Sequence, residues 1–266
     1  MRDIKLGIIG CGNMGSAIVE GIIAKGILPS GAISLNDKDI EKAAHLESKT
    51  GAVRGDILEV VRTSDYLIVA VKPQDFEDLF KKISSDIKKQ TVISLMAGVK
   101  MSALIERIGR SVPAARAMPN MAAFIGESIT CISFNSSVKN KDEIKDIFSG
   151  IGKVLEMEES LMDTVTAVSG SGPAYLFYLA EAMIEAAIDM GLDKKTARDL
   201  VAETLYGSSM LLRKEAGAAS ELIKKVASKG GTTESALKVF DEEALKSIIK
   251  RAMLRAKERS EELSRG

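Results

Sequence analysis

The hydrophobic pattern changes once along the chain. Up to about residue 160, short apolar runs alternate with stretches in which apolar positions recur every three or four residues. Such runs are typical of buried strands, and stretches such as 14–25 and 75–82 are typical of helices that cover a sheet. We therefore predict an α/β fold with a parallel sheet. The predicted strands are 6–9, 32–35, 66–70, 91–95 and 129–134.

The rest of the chain has the periodicity of helices. One helix is predicted to begin at Gly172-Pro173 and to end before Gly191, and a second to run over 194–214 after a cap at Asp193. A last helix is predicted over 242–263 after a cap at Asp241. The helix that begins at Pro173 is apolar on nearly every side, so we expect a partner subunit to cover it. The predicted domains are 1–160 and an all-α domain over 161–266.

Composition narrows the class of protein. The chain has 266 residues, of which 37 are basic and 37 acidic, so no net field attracts nucleic acid or an anionic membrane. We expect a small-molecule partner instead. Cys11 and Cys131 are too isolated for a disulfide framework, and His45 is the only histidine, so we expect no metal site. With no visible signal peptide or membrane span, a cytoplasmic protein is expected.

A GxGxxG motif follows the first predicted strand and precedes the first helix. It consists of Gly10, Cys11, Gly12, Asn13, Met14 and Gly15. In a dinucleotide site the first glycine permits a tight turn, the second lets a pyrophosphate approach, and the third packs helix on strand. A glycine turn without a ligand is the alternative, but position and spacing favour a dinucleotide. The motif predicts a doubly wound sheet of the Rossmann type.

The end of the second strand lies where such sheets read the adenosine ribose. Asp37 could accept a hydrogen bond from a ribose 2′-hydroxyl, whereas Asn36 and Lys38 could hold a 2′-phosphate. A solvated turn before the helix at Asp39 is the alternative. The pattern leaves NADPH and NADH both open.

Two more segments follow strands at the same predicted edge. The first is Ala70, Val71, Lys72 and Pro73, and the second is 116–120. Pro73 keeps Lys72 out of helical geometry, so Lys72 could point over a cofactor, although a solvated lysine is the alternative. Asn120 could hydrogen-bond a ring amide.

Two loops of small residues, 169–173 and 228–233, precede predicted helices. Free backbone N–H groups at a helix start can bind a carboxylate, so either loop could hold an anionic substrate. Capped corners without a ligand are the alternative.

Five motifs together resemble a known family. They are GIIGCGNMGSAI at 7–18, AVKP at 70–73, RAMPN at 116–120, VSGSGPAY at 168–175 and VASKGGTTESAL at 226–237. This combination resembles pyrroline-5-carboxylate reductase over almost the whole chain. The resemblance implies reduction of L-1-pyrroline-5-carboxylate, a cyclic imine carboxylate, to L-proline with NADPH or NADH. It also implies a homodimer through the helical domain, commonly assembled into a larger ring.

The resemblance also implies roles for residues. Cofactor contacts would fall on 10–15, Asn36, 70–73 and the loop around Ala97. Substrate contacts would fall on Ser228, Gly231, Thr232, Thr233 and Glu159. The hydroxyl of Thr233 would orient the ring nitrogen and is the predicted catalytic group. The sequence departs from the family at Asp37, where many members have a basic residue, and at Met121 and 122–123, where threonine and proline are frequent.

Two other classes of protein share part of this pattern. A β-hydroxyacid dehydrogenase would carry a catalytic lysine where this chain has Leu176, and alcohol oxidation without that base is difficult. A regulatory dinucleotide-binding protein would keep 10–15 but would not need a second pocket at 228–233.

Overall fold

A computed structural model of the protein describes residues 4–215 and 217–263. Within them, eight strands form one sheet in the order β3-β2-β1-β4-β5-β6-β7-β8. Neighbouring strands are parallel, except that β6 and β7 are antiparallel. The strands are β1 Leu6–Ile9, β2 Ile33–Asn36, β3 Val53–Arg54, β4 Tyr66–Val69, β5 Thr91–Ser94, β6 Ala114–Met118, β7 Ser128–Phe134 and β8 Gly152–Glu156.

Helices cover both faces of this sheet. They are α1 Asn13–Ala24, α2 Ile40–Thr50, α3 Ile57–Thr63, α4 Phe76–Ile83, α5 Met101–Ile108 and α6 Lys141–Ser149. One core contains Ile8 and Phe148, and the other contains Ile9 and Phe80. Because successive strand residues point to opposite faces, each face has its own core. This explains why β1 and β4 are continuous apolar runs, buried at every position.

The remaining helices are α7 Met162–Val165, α8 Gly172–Asp189, α9 Lys194–Lys214, α10 Ala219–Val226, α11 Thr232–Glu242 and α12 Leu245–Leu263. Asp193 caps α9, since its carboxylate accepts the N–H groups of Lys195 and Thr196. The predicted cap at Asp241 is wrong because Asp241 lies inside α11. The helix breaks instead before α12, where Ala244 has a φ of 53°. Alanine is the best helix former, so its sequence gives no sign of this break.

The 169–173 loop is also different from its prediction. Thr166–Gly170 form a π-helical turn, and the N–H of Ser171 donates to the carbonyl of Thr166 at 2.8 Å. Pro173 has no N–H to give to the preceding turn, and π-helical turns, although rare, occur as single wide turns within helical runs. The segment is therefore part of a helical run, and the N–H of Ser171 is not free for an anion.

The chain packs as two compact units. One contains the residues up to Ser171 and those from Ala256 onward, and the other is Gly172–Arg255. Met162 of α7 packs against the sheet residues Met118 and Cys131, which explains why the first unit extends past residue 160. The division by role into 1–160 and 161–266 stays a prediction.

The second unit, taken by itself, leaves much apolar surface open. No residue of α8 is buried, and Phe177 and Tyr178 are 61% and 76% exposed. Apolar surface of this kind marks an interaction site. In the described parts of the chain, no helix is long and apolar enough to cross a membrane.

Candidate active site

The predicted cofactor residues lie in loops at one edge of the sheet. Ile9, Asn36 and Val69 are opposite one another in the register of β1, β2 and β4, and β5 and β6 run in the same direction. We call the loops that follow these strands the carboxyl-edge loops. They contain 10–15, 36–38, 70–73, Ala97 and Asn120. Open α/β sheets bind ligands at this edge.

The three glycines of the GxGxxG motif have different surroundings. Gly10 has a φ of 104°, and a Cβ there would lie 2.6 Å from the carbonyl oxygen of Ala70. A Cβ at Gly15 would overlap the carbonyl oxygen of Gly10. The fold itself therefore requires both glycines. Gly12 has an ordinary φ of −73°, and a Cβ there would meet nothing within 4 Å.

The space at Gly12 lies at the start of α1. Gly12 is the N-cap residue of this helix, and none of the described side chains caps it. The first N–H groups of a helix without such a cap are available to an anion. Open space beside a helix N-terminus fits the pyrophosphate of a dinucleotide.

Asn36, the last residue of β2, and Asp37, which follows it, have defined partners. The Oδ2 of Asp37 accepts the N–H of Cys11 at 2.6 Å, and its Oδ1 accepts the N–H of Asp39 at 2.8 Å. Asp37 is therefore fixed beside the glycine loop, where the ribose of a dinucleotide would lie. The side-chain amide of Asn36 donates to the carbonyl of Gly55 at 2.9 Å, so this donor is directed toward β3.

Cys11 does not have the environment of a nucleophile. Its side chain is buried, and burial, followed by the nearby Asp37 carboxylate, raises the pKa of the thiol to about 12. Burial also raises the pKa of Cys131. Both cysteines are free and buried. A thiol is reactive as the thiolate, so neither is suited to catalysis near neutral pH.

The loops after β4 and β6 differ in which of their polar side-chain groups are available to a ligand. Lys72 has extended backbone before Pro73, as predicted, and its side chain is exposed. Asn120 accepts the N–H of Ala122 with its Oδ1 at 3.2 Å and caps the 3₁₀ turn Met121–Ile125. The amide nitrogen of Asn120 is therefore the group left for a ligand.

An ion pair joins Arg116 of β6, whose side chain is buried, to the partly exposed Glu159. The Arg116 side chain is 4% exposed, and its Nη1 lies 2.9 Å from Oε1 of Glu159. The same oxygen accepts the N–H of Met101 at 2.5 Å, at the start of α5. The pair borders a cavity of about 430 Å³ that Lys100 and Asp163 also line. The sequence does not predict this pairing, although a buried arginine in an apolar strand needs a charged partner.

The 228–233 loop belongs to the second unit. Gly230 has a φ of 71°, and the N–H groups of Gly230 and Gly231 donate to Glu234 Oε2 and to the Ser228 carbonyl. Gly231 is the N-cap of α11, and none of the described side chains caps that helix. Thr232 is exposed and Thr233 half-buried. The N–H groups of Thr232 and Thr233 and the Thr233 hydroxyl are thus the groups that a small anion could reach.

Metal ligands are not grouped in the structure as described. Within residues 4–215 and 217–263, no cluster of three or more histidine, cysteine, aspartate or glutamate side chains could hold a metal ion.

Comparison with known proteins identifies the family. Residues 159–263 match the family model for pyrroline-5-carboxylate reductase dimerisation, and residues 5–98 match the model "NADP oxidoreductase coenzyme F420-dependent". The pyrroline-5-carboxylate reductase of Methanosarcina acetivorans is 35% identical over 269 residues, which cover 100% of both chains. The chain belongs to the pyrroline-5-carboxylate reductase family. The dimerisation model also indicates a homodimer, and the residues that it matches include α8, none of which is buried.

Solved structures of this family have the same fold. The pyrroline-5-carboxylate reductase of Coxiella burnetii has a TM-score of 0.91 at 30% identity, and the match covers 99% of each chain. The Plasmodium falciparum pyrroline carboxylate reductase, solved with NADP bound, has a TM-score of 0.89 at 28% identity over 99% of each chain. The predicted fold class, a Rossmann-type sheet followed by an all-α dimerisation domain, is confirmed.

Proposed function

We propose that the chain reduces L-1-pyrroline-5-carboxylate to L-proline, with NADPH as the hydride donor and NADH as a possible substitute. Family membership supports the reaction. The structural observation that carries the proposal is the open space at Gly12, between two glycines that the fold requires for its own packing. A fold that needs Gly10 and Gly15 for packing, but not Gly12, has kept room for a ligand at the start of α1.

The proposed cofactor site consists of the carboxyl-edge loops. The N–H groups at the start of α1 would bind the pyrophosphate. Asp37 and Lys38 would lie at the adenosine ribose, with Asn36 behind them. The 70–73 segment, Ala97 and Asn120 would line the nicotinamide side. When bound, NADPH supplies the hydride, and the protein residues position it.

The proposed substrate site uses Ser228, Gly231, Thr232 and Thr233. The N–H groups at the start of α11 would bind the substrate carboxylate, and the Thr233 hydroxyl would orient the ring nitrogen. An imine nitrogen can be protonated near neutral pH, after which its carbon accepts hydride directly. Positioning therefore supplies most of the catalysis, and a dedicated acid is not needed.

The contacts of Glu159 favour a structural role, in which it holds separate elements together. Its Oε1 is already shared by Arg116 and the N–H of Met101. We therefore propose that Glu159 positions α5 and the loop that precedes it, which contains Ala97. A direct contact of Glu159 with substrate stays a prediction.

The assembly and location are proposed on separate grounds. We propose a larger ring of homodimers because the family resemblance implies one. A cytoplasmic location is supported by the two free, buried cysteines, because such thiols persist in a reducing compartment.

The test combines activity with a matched pair of variants. Purified protein is mixed with NADPH and pyrroline-5-carboxylate, and NADPH absorbance is followed. Gly12→Val should lose NADPH binding in a fluorescence titration while its melting temperature stays near that of the wild type. Gly31→Val is the control, since a Cβ at the exposed Gly31, like one at Gly12, meets nothing within 4 Å. Absence of NADPH oxidation by the wild type, or equal affinity in Gly12→Val, would refute the proposal.

A further inference from the structure

An ion pair links two carboxyl-edge loops on either side of the glycine loop. Nζ of Lys38 lies 2.7 Å from Oδ1 of Asp75. Lys38 follows β2 and Asp75 follows β4, while β1, which leads into the glycine loop, lies between these two strands in the sheet. The pair therefore joins loops that flank the proposed dinucleotide site.

The two side chains of this ion pair differ in exposure. The Lys38 side chain is 76% exposed and that of Asp75 28% exposed. Exposed ion pairs contribute little to stability, so Lys38 can leave Asp75 at low cost. Asp37 cannot move as easily because both of its oxygens accept backbone N–H groups. Lys38 is thus a cation that can change partners next to a fixed carboxylate.

A 2′-phosphate is the group that would offer Lys38 a new partner. It differs from a ribose 2′-hydroxyl in its negative charge, which a lysine binds and which the carboxylate of Asp37 repels. While Lys38 is paired with Asp75, the carboxylate offsets part of the lysine's positive charge, so Lys38 attracts such a phosphate less strongly.

We propose that Asp75 is a specificity-determining residue that competes with the 2′-phosphate of NADPH for Lys38. When NADPH binds, Lys38 exchanges the Asp75 carboxylate for the phosphate. NADH has no 2′-phosphate and does not cause this exchange. Asp75 therefore lowers the affinity for NADPH, and with it the preference for NADPH over NADH, without changing the affinity for NADH. The inference rests on the proposed function, because it takes the cofactor to lie on the glycine loop.

Two ligands that differ only in the 2′-phosphate provide the probe. Calorimetric titration with ADP-ribose and with 2′-phospho-ADP-ribose measures binding without any reaction. Asp75→Asn should tighten 2′-phospho-ADP-ribose by about two- to fivefold, the range expected for release of an exposed ion pair. Its affinity for ADP-ribose should stay at the wild-type value.

Two more variants test the role of Lys38. Lys38→Gln should weaken 2′-phospho-ADP-ribose by roughly ten- to a hundredfold, as expected for loss of a charged hydrogen bond. In that background, Asp75→Asn should no longer tighten the phosphorylated ligand. The ratio of kcat/KM for NADPH to that for NADH should change in the same direction as the binding ratio in every variant.

Asp86→Asn is the matched control for charge. Asp86 pairs with Arg62 at 2.7 Å, its side chain is 20% exposed, and it precedes β5, at the other edge of the sheet. If Asp86→Asn tightens the phosphorylated ligand as much as Asp75→Asn does, or if Asp75→Asn tightens both ligands alike, the inference is wrong. If neither ligand binds the wild type, the proposed function fails instead.

Discussion

The backbone N–H of Cys11 donates to Oδ2 of Asp37 at 2.6 Å, so the end of β2 holds the second residue of the glycine loop. Asp37 therefore combines two properties. Its charge opposes a 2′-phosphate, and its oxygens fix the loop that would bind the pyrophosphate.

Asp37→Asn should raise the ratio of kcat/KM for NADPH to that for NADH by several-fold, because it removes the repelling charge. Both cofactors should bind more weakly, because an amide oxygen replaces only one of the two carboxylate oxygens that accept the N–H groups of Cys11 and Asp39. Steady-state kinetics with both cofactors provide the measurement. Asp193→Asn is the control, since Asp193 also accepts two backbone N–H groups, at the start of α9. An unchanged ratio in Asp37→Asn would show that Asp37 does not face the ribose.

Gly98→Ala should weaken NADPH binding as well as lower the melting temperature. Gly98 follows Ala97 and has a φ of 76°, and a Cβ there would lie 2.8 Å from Cβ and 3.1 Å from the backbone carbon of Leu263 in α12. The loop that contains Ala97 must therefore shift. Gly26→Ala is the control, because Gly26 has a φ of 65° but a Cβ there meets nothing within 4 Å.

The comparison of the two glycine variants separates strain from displacement. Alanine in left-handed backbone costs roughly 1 kcal/mol in either variant. A larger loss of melting temperature in Gly98→Ala than in Gly26→Ala, with wild-type NADPH affinity in both, would mean that the Ala97 loop does not contact the cofactor.

Cys11 should resist modification by a thiol reagent in the folded protein. Its pKa is raised to about 12 by burial and by Asp37, so the neutral thiol dominates at about pH 8. The folded state binds this proton more tightly than the unfolded state does. The contribution of Cys11 to the free energy of unfolding therefore falls as pH rises above the pKa of roughly 8.5 that the thiol has in the unfolded state. Absorbance of the released thiol product, with urea-unfolded protein as the positive control, measures reactivity. Fast reaction of the native protein would contradict the burial of this thiol.

The sequence predicts elements whose signal is local. The apolar runs of β1 and β4 and the Asp193 cap of α9 are examples. The sequence does not predict β3, because this strand consists of two exposed residues, Val53 and Arg54, which have no apolar pattern. The break at Ala244 was missed because no glycine or proline announces it.

In the candidate site, too, only the residues with a local sequence signal can be predicted. The GxGxxG motif is contiguous, and its residues follow one another in a fixed spatial order. Lys38 and Asp75 are 37 residues apart, and Arg116 and Glu159 are 43 apart. Each pair forms only because separate strands bring the two residues together, so a single sequence does not reveal which charges meet.

Thr233→Ala should lower kcat/KM for the imine by roughly ten- to a hundredfold, the loss expected for a hydrogen bond to a charged partner. The structure weakens the alternative that Thr233 is a helix cap, because Gly231 is the N-cap of α11 and Thr233 is its second residue. The variant should therefore melt near the wild-type temperature and bind NADPH with wild-type affinity. Ser235→Ala is the control, since its hydroxyl donates to the carbonyl of Gly231 within the same helix start. If Thr233→Ala and Ser235→Ala have the same kcat/KM as the wild type, the substrate is not held at this loop. Rescue of kcat/KM by Thr233→Ser would show that the hydroxyl, and not the methyl group, carries the effect.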